Sequence, residues 1–579
     1  MTTVRTTDEA VPGSATAAPS DRLFLAAVLI AGLLMLTGVL FDQDPTNDVA
    51  SCYARQVREF AAGNWPGAFH HMTPPLVIVL GGMIAKLGIP PFAALKIVSG
   101  LFFIAGLWPL SRILRRMAPA SLAGWGCLLY AVSPRLVRYA AVGLLDSVKL
   151  FFLLWLVDQL LAYAEEQKTR PACWLGVAAG GLALARGEGI FFLPLVLAGM
   201  LLLPWFKPCP PVTGGPSRLT RAIRSIWQGI LVVGIAGLLC LPQILYIQST
   251  TGYPALDSRQ TKRVQIMLGK WFPSRATQFT ARVPDTPTQV LGRPRTDIPP
   301  EDVITPWRNF REAVKGLDHF LLALAALGLA WKLRRRQWCA ADVLCAGIIA
   351  YNIVLFAVNG FITKRYTAVT APFLLAWSVQ GAAFLKVDLF DRFHRRLFPI
   401  AAVGVILGFA VNSAKNLVKL DNPPRQFARW LAPHRSAFIK PSPIRLVSDP
   451  HGKEYHDGRQ PLIAATTAQY SFWAKADWVG IPHRRWFTPD EVRLLLCRRQ
   501  ADLLVVDADL RGVCPSLDPD RVAWLEQVAG TPAGAPWALY RVRCEQEPLI
   551  PDFAVGATVP LRHTARQACV LQPAAKSGI

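Results

Sequence analysis

Two carboxylates stand where the sequence passes between apolar runs and polar chain. Asp48 follows the first apolar run, in FDQDPTNDVASCYARQVREFAAGNWPGAFHHMTPP, and Asp146 lies in VGLLDSVKLFFLLWLVD. An acid held at the edge of a low-dielectric region can take a proton from a hydroxyl, and two acids together can hold a divalent cation. Asp48 has an equally good structural role, because Asp is among the best helix N-caps and a short amphipathic helix over 48–62 would follow it. Asp146, an acid at the end of a span, is a functional candidate by position. Basic residues recur at the ends of neighbouring runs: Arg135 or Arg138, Arg186 in ARGEG, and Lys364 with Arg365 in ITKRY. Any one of them could snorkel to an interface, and Arg186 could simply pair with Glu188. Gathered together they would form an anion site suited to a lipid-linked phosphate.

Groups of this kind need a membrane scaffold to bring them together. Hydrophobic residues make up 52% of the 579 and charged residues only 17%, below the usual share of a soluble domain. The net charge of +24 does not point to nucleic acid, because Lys and Arg collect between apolar runs rather than on one soluble face. Basic loops beside anionic lipid are the simpler reading. Candidate spans cover 23–41, 91–111, 121–137, 143–163, 173–187, 189–206, 226–247, 318–333, 340–358, 366–385 and 397–415. The run 74–88 is shorter, opens on two prolines and carries Lys86, which suits an interfacial or re-entrant helix better than a span. With that run left out and the N-terminus cytoplasmic, every strong basic cluster falls on one side. These are Arg112/Arg115/Arg116, Lys207/Arg218/Arg221/Arg224, Lys332/Arg334/Arg335/Arg336 and Lys386/Arg392/Arg395/Arg396. The expectation is 11 spans in the plasma (inner) membrane, with the C-terminus and all the candidate site residues on the outer face.

The fold class expected is mainly α: a polytopic helical bundle with a small C-terminal α/β soluble domain. Residues 1–22 read as a disordered cytoplasmic N-terminus, 23–415 as the transmembrane domain with outer loops 42–90 and 248–317, and 416–579 as the extracytoplasmic domain and tail. In that last part IRLVSD, PLIAATT, ADLLVVDADL and WALYRVRC are β-rich, and TPDEVRLLLCRR predicts a helix capped by Thr488. Two of Cys497, Cys514 and Cys544 could pair in an oxidising compartment, and the sequence leaves the choice open.

The layout of roughly 20–415 resembles the polytopic GT-C glycosyltransferases, with bacterial aminoarabinose transferases and protein O-mannosyltransferase relatives as the nearest look-alikes. Those enzymes carry an acidic motif after the first span, an amphipathic helix, a Gly-Asp-Trp-like turn and a Lys-Pro-Pro-like start of a second juxtamembrane helix. The matching residues here are Asp48, Gly63-Asn64-Trp65 and Thr73-Pro74-Pro75. Asp146 matches a second acid, GLALARGEGIFFLP a turn with a basic residue, and Lys364-Arg365-Tyr366 an Arg-Tyr motif. Three positions depart from the pattern. Val49 replaces the second acid of the pair, Cys52 the usual Tyr with Tyr53 one place on, and Thr73 the phosphate-contacting Lys, for which His70 and His71 could substitute.

The resemblance implies a polyprenyl-phosphate sugar as donor, Asp48 and Asp146 as catalytic carboxylates with Asp48 deprotonating or orienting the acceptor hydroxyl, and Arg186, Arg365, Arg138 and Lys364 around the lipid phosphate. Tyr53, His70, His71 and Glu188 would touch substrate. The acceptor would be a hydroxyl on a glycan, lipid or protein. A divalent cation is left open. A transporter or flippase for a lipid-linked or polar substrate is the main alternative; it would show internal repeats and helices broken near the midplane, whereas the polar residues here gather at one edge. A non-catalytic scaffold is the third reading.

Overall fold

Leu25, Leu29, Leu33, Leu36 and Leu40 recur once per helical turn in the first helix, α1 (Pro19–Leu40), and all five are exposed. A stripe of that size is stable only against lipid. The computed structural model describes residues 19–41, 45–46, 48–69, 73–203, 218–251, 254–256, 293–294, 319–358, 369–385, 397–417, 423–433, 445–449, 452–456, 461–481, 485–498, 501–528, 532 and 535–544. After α1 come α2 (Ala54–Ala61), α3 (Trp65–Ala68), α4 (Pro75–Ala85), α5 (Pro91–Ala105), α6 (Leu107–Met117), α7 (Ala120–Val132), α8 (Pro134–Ala141), α9 (Asp146–Glu166), α10 (Thr169–Ala185), α11 (Leu193–Leu202) and α12 (Arg218–Thr251). The bundle continues with α13 (His319–Arg335), α14 (Ala340–Val358), α15 (Ala371–Leu385) and α16 (Leu397–Leu417).

Every run expected to span contains a helix. Among the described residues, five helical segments are both long and apolar enough to cross a bilayer: Asp21–Leu40, Pro91–Met117, Asp146–Glu166, Leu219–Ser249 and Ile400–Leu417. The chain is a multi-pass membrane protein. α4 has only 11 residues, about 16 Å at 1.5 Å per residue, too short to cross the hydrocarbon core. α9 is the central helix, buried along nearly its whole length, whereas α12 and α16 expose apolar side chains.

Hydrogen bonds fix which helix ends lie together. Lys96 Nζ in α5 donates to the carbonyls of Gly38 (3.0 Å) and Phe41 (3.5 Å) at the end of α1. One turn on, Ser99 Oγ donates to Leu144 O at 2.6 Å, in the turn that leads into α9. The end of α10 meets the start of α9 through Arg186 and Asp146. At the opposite end, Arg115 pairs with Asp21 of α1, and Arg116 with Asp158 and Glu165 of α9. The bundle therefore has one end built from the close of α1, the start of α5, the start of α9 and the close of α10. The Arg112–Arg116 cluster marks the other.

The C-terminal part forms its own layered domain. Its sheet runs β5–β4–β7–β9–β8, from β4 (Leu462–Ala465), β5 (Asp477–Gly480), β7 (Leu503–Asp507), β8 (Leu525–Gln527) and β9 (Trp537–Val542). β4 is parallel to β5 and β7, and β9 is antiparallel to β7 and β8. Three of the four expected strand runs lie in this sheet. The fourth forms β2 (Arg445–Asp449), which pairs only with β3 (Gly452–His456). The short strands β5 and β8 have no counterpart in the sequence reading, and β1 (Arg293–Pro294) pairs with β6 (Arg485–Trp486). Helices α17 (Pro423–Leu431), α18 (Gln469–Trp473), α19 (Pro489–Arg498) and α20 (Ala508–Val513) accompany the sheet. Thr488 caps α19 as expected, in a reciprocal box: Glu491 N–H donates to Thr488 Oγ1, and Thr488 N–H to Glu491 Oε2. Cys497 and Cys544 form the disulfide, and Cys514 is buried and free.

Candidate active site

Asp146 opens α9 and is 3% exposed, so its charge needs a partner close by. The partner is Arg186, whose Nη1 lies 2.5 Å from Asp146 Oδ1. Arg186 follows the last residue of α10 in an extended conformation, and a 3₁₀ turn (Gly187–Phe192) comes next. Gly189 is required in that turn because a Cβ there would overlap the Leu182 carbonyl. The turn folds Glu188 back so that its Oε2 lies 3.3 Å from Arg186 Nε and 3.3 Å from Lys149 Nζ. Lys149 is one turn beyond Asp146 on α9 and wholly buried. Two acids and two bases thus form a buried, formally neutral network at the end of the bundle where α9 begins.

Arg186 and Glu188 pair with each other, and Arg186 reaches Asp146 as well. The guanidinium is engaged on two edges, which gives it a bracing role toward both carboxylates. Asp146 and Glu188 are each held by a cation, an arrangement unsuited to a divalent metal between them. Among the described residues no group of three or more His, Cys, Asp and Glu gathers in a form that could hold a metal.

Beside the network lies a small cleft lined by Phe103, Leu136, Tyr139, Asp146, Ser147, Leu150 and Val369. Arg138 is exposed on α8, next to Tyr139. Arg135, one turn earlier, has a buried Nη1 without a hydrogen-bond partner among the described residues. Lys364 and Arg365 lie outside the described residues. The chain re-enters them at Val369, on the cleft wall.

Asp48 is half-buried at the start of a π-helical turn (Val49–Tyr53) that runs into α2. The expected N-cap is corrected here. Asp48 itself has helical backbone angles (φ −60°, ψ −41°) and its side chain makes no cap hydrogen bond. The carbonyl of Thr46 already accepts from Ala50 N–H, so the helical turn starts upstream and the Asp48 carboxylate is not spent on capping. Tyr53 is buried in the membrane-domain core. His70 and His71 lie outside the described residues.

The departures from the resembled motif have local explanations. Val49 is 0% exposed among apolar side chains, a place where an acid would be costly. Cys52 Sγ and Thr73 Oγ1 lie 3.5 Å apart, so the two substituted positions face each other.

Sequence reading missed Lys96 and Lys149. Both are lysines inside apolar runs, and an ionisable residue within a span is itself the signal for a site. Lys96 Nζ also sits 4.5 Å from the centre of the Phe92 ring, at the negative end of the α1 dipole.

No protein-family model matches the chain, and no curated protein matches it. Solved structures do. The aminoarabinose transferase ArnT from Cupriavidus metallidurans, bound to undecaprenyl phosphate, aligns with a TM-score of 0.52 at 13% identity, over 91% of this chain and 98% of that one. The archaeal oligosaccharyltransferase AglB from Archaeoglobus fulgidus, in complex with an inhibitory peptide and a dolichol-phosphate, aligns with a TM-score of 0.52 at 11% identity, over 92% and 76%. Both neighbours are GT-C membrane glycosyltransferases, and the chain has the fold that they share.

Proposed function

We propose that this chain is a membrane glycosyltransferase that moves a sugar from a polyprenyl-phosphate donor to a hydroxyl acceptor at the outer face of the membrane. The observation that carries the reading is the buried Asp146–Arg186–Glu188–Lys149 network beside a cleft, at the same bundle end as the Asp48 loop. The likeness in fold to an enzyme solved with undecaprenyl phosphate supports the donor class. In this reading all 11 apolar runs are spans and the site end faces outward. The Arg112–Arg116 end then faces the cytoplasm, as the positive-inside rule asks.

The acceptor oxygen bonds to the anomeric carbon as the bond from that carbon to the donor phosphate oxygen breaks. The electron pair leaves on the polyprenyl phosphate. The acceptor proton passes to the Asp48 carboxylate, which has a helical turn to hold it and no capping duty. Attack opposite the leaving group inverts the sugar. Arg138, Lys364 and Arg365 match the charge that grows on the phosphate. Arg186 holds Asp146 and offers phosphate only what those two carboxylates leave over. Tyr53 is buried and shapes the wall behind Asp48, and His70 and His71 follow on the same loop.

The test is Asp48→Asn in membranes supplied with a polyprenyl-phosphate sugar. Transfer should fall by at least about a hundredfold, the scale of a lost general base, while insertion and thermal stability stay as in the parent. Parent-like turnover would refute the assignment. Export of label across sealed vesicles without any glycosylated product would favour a transporter instead.

A further inference from the structure

Among the described residues, the short helix α18 carries the side-chain contacts between the C-terminal domain and the helices around Asp48 and α5. On α18, Tyr470 and Ser471 face inward: Tyr470 packs on Phe427 and Ser471 Oγ bonds Ile463 O at 3.4 Å. Gln469, Phe472 and Trp473 face the bundle. Gln469 Nε2 donates to the carbonyl of Pro45 at 2.9 Å, three residues before Asp48. Phe472 and Trp473 close edge-on against Phe92, with ring centres 5.4 and 6.4 Å away. Arg425, from the linking helix α17, lies 4.3 Å over the Trp473 ring.

Phe92 belongs to the first half of α5, the same two turns that carry Lys96 and Ser99. Lys96 ties α5 to the close of α1, and Ser99 ties it to the turn before Asp146. A path of contacts thus runs from α18 through Phe92 to the segments before both acids. Pro45 has no side-chain donor or acceptor, so the loop at that point is held by its main chain, and Gln469 grips it there.

We propose that α18 is a positioning element for the reaction: Gln469 fixes the main chain ahead of Asp48, and Phe472 and Trp473 seat α5 so that both acid-bearing segments keep their spacing. The soluble domain then acts on the rate of transfer rather than serving only to recognise an acceptor. This inference rests on the proposed glycosyl transfer.

The experiment compares full-length parent, Gln469→Leu, Gln469→Lys and Phe472→Ala in membranes with a polyprenyl-phosphate sugar donor. Leu keeps the bulk and removes the donor; Lys restores a long donor able to reach the Pro45 carbonyl. Gln469→Leu should lower kcat about fivefold, the rate equivalent of one ordinary hydrogen bond, with donor KM unchanged. Gln469→Lys should recover most of the loss, and Phe472→Ala should lower kcat with donor KM likewise unchanged. Unfolding temperature is measured in parallel, because a purely structural role would move stability and active fraction without a donor-dependent recovery in Gln469→Lys. An active parent whose Gln469→Leu and Phe472→Ala variants keep their kcat overturns the positioning role alone. An inactive parent overturns the functional reading, and this inference with it.

Discussion

Asp146, Lys149, Arg186 and Glu188 are each nearly or wholly buried, and each depends on the others for its charge. Removing one member leaves an unmatched ion away from water, a loss of about 3 kcal/mol or more, while removing a matched pair costs far less. Lys149→Met removes the Lys149 charge from Glu188 and should lower unfolding stability by about that amount. The double variant Lys149→Met/Glu188→Gln should recover much of it. A double-mutant cycle on detergent-solubilised protein measures this. Additive effects would mean that the two side chains do not interact.

At the level of elements, α20 begins at the end of β7, and the Asp507 side chain caps it by accepting from Leu510 N–H at 2.9 Å. Burial pushes the Asp507 carboxyl above the usual carboxylate range; the neighbouring Asp509 adds to this, and the Leu510 N–H opposes it. A folded-state pKa above the unfolded value means the folded domain binds that proton more tightly. This group's contribution is therefore fully present below the unfolded pKa and is lost as pH rises through the folded one. Asp507→Asn keeps a capping acceptor and removes the titration. The stability gap between parent and variant, read from hydrogen exchange at Leu510, should widen in the variant's favour as pH rises from about 3 to 6. A gap that does not change with pH would refute this account.

Local elements such as the Thr488–Glu491 box were legible in the sequence because their partners lie three residues apart. α4 was legible as a short helix from its apolar run opened by two prolines. The strands β5 and β8 were not, being 4 and 3 residues long without an alternating pattern. Arg186 was singled out and its pairing with Glu188 was named, but its bond to Asp146, 40 residues away at the start of α9, was not announced by any short motif. The Asp48 cap was misread because the helical turn starts before Asp48 rather than at it.

For the whole molecule, two independent features support the proposed orientation. The basic cluster at Arg112–Arg116 sits at the end opposite Asp146, and the soluble domain, docked at the Asp146 end, holds the Cys497–Cys544 disulfide. Disulfides persist in oxidising compartments and basic loops stay in the cytoplasm, so both features support the proposed reading, in which the soluble domain lies outside. Topology reporters fused after Arg336 and after Leu431 should report opposite sides of the membrane. The same side for both would refute the orientation.

Under the proposed function, the two charged clusters of α9 also limit how a lipid-linked donor would enter. Asp146 is tethered at one end of the helix, and Asp158, 12 residues further on and about 18 Å along the axis, is tethered by Arg112 and Arg116 at the other. Sliding α9 by one turn would strand ions at both ends simultaneously, so the helix serves as a fixed axle. In the proposed function, a prenyl chain would then enter from the side, between neighbouring helices, while the axle stays still.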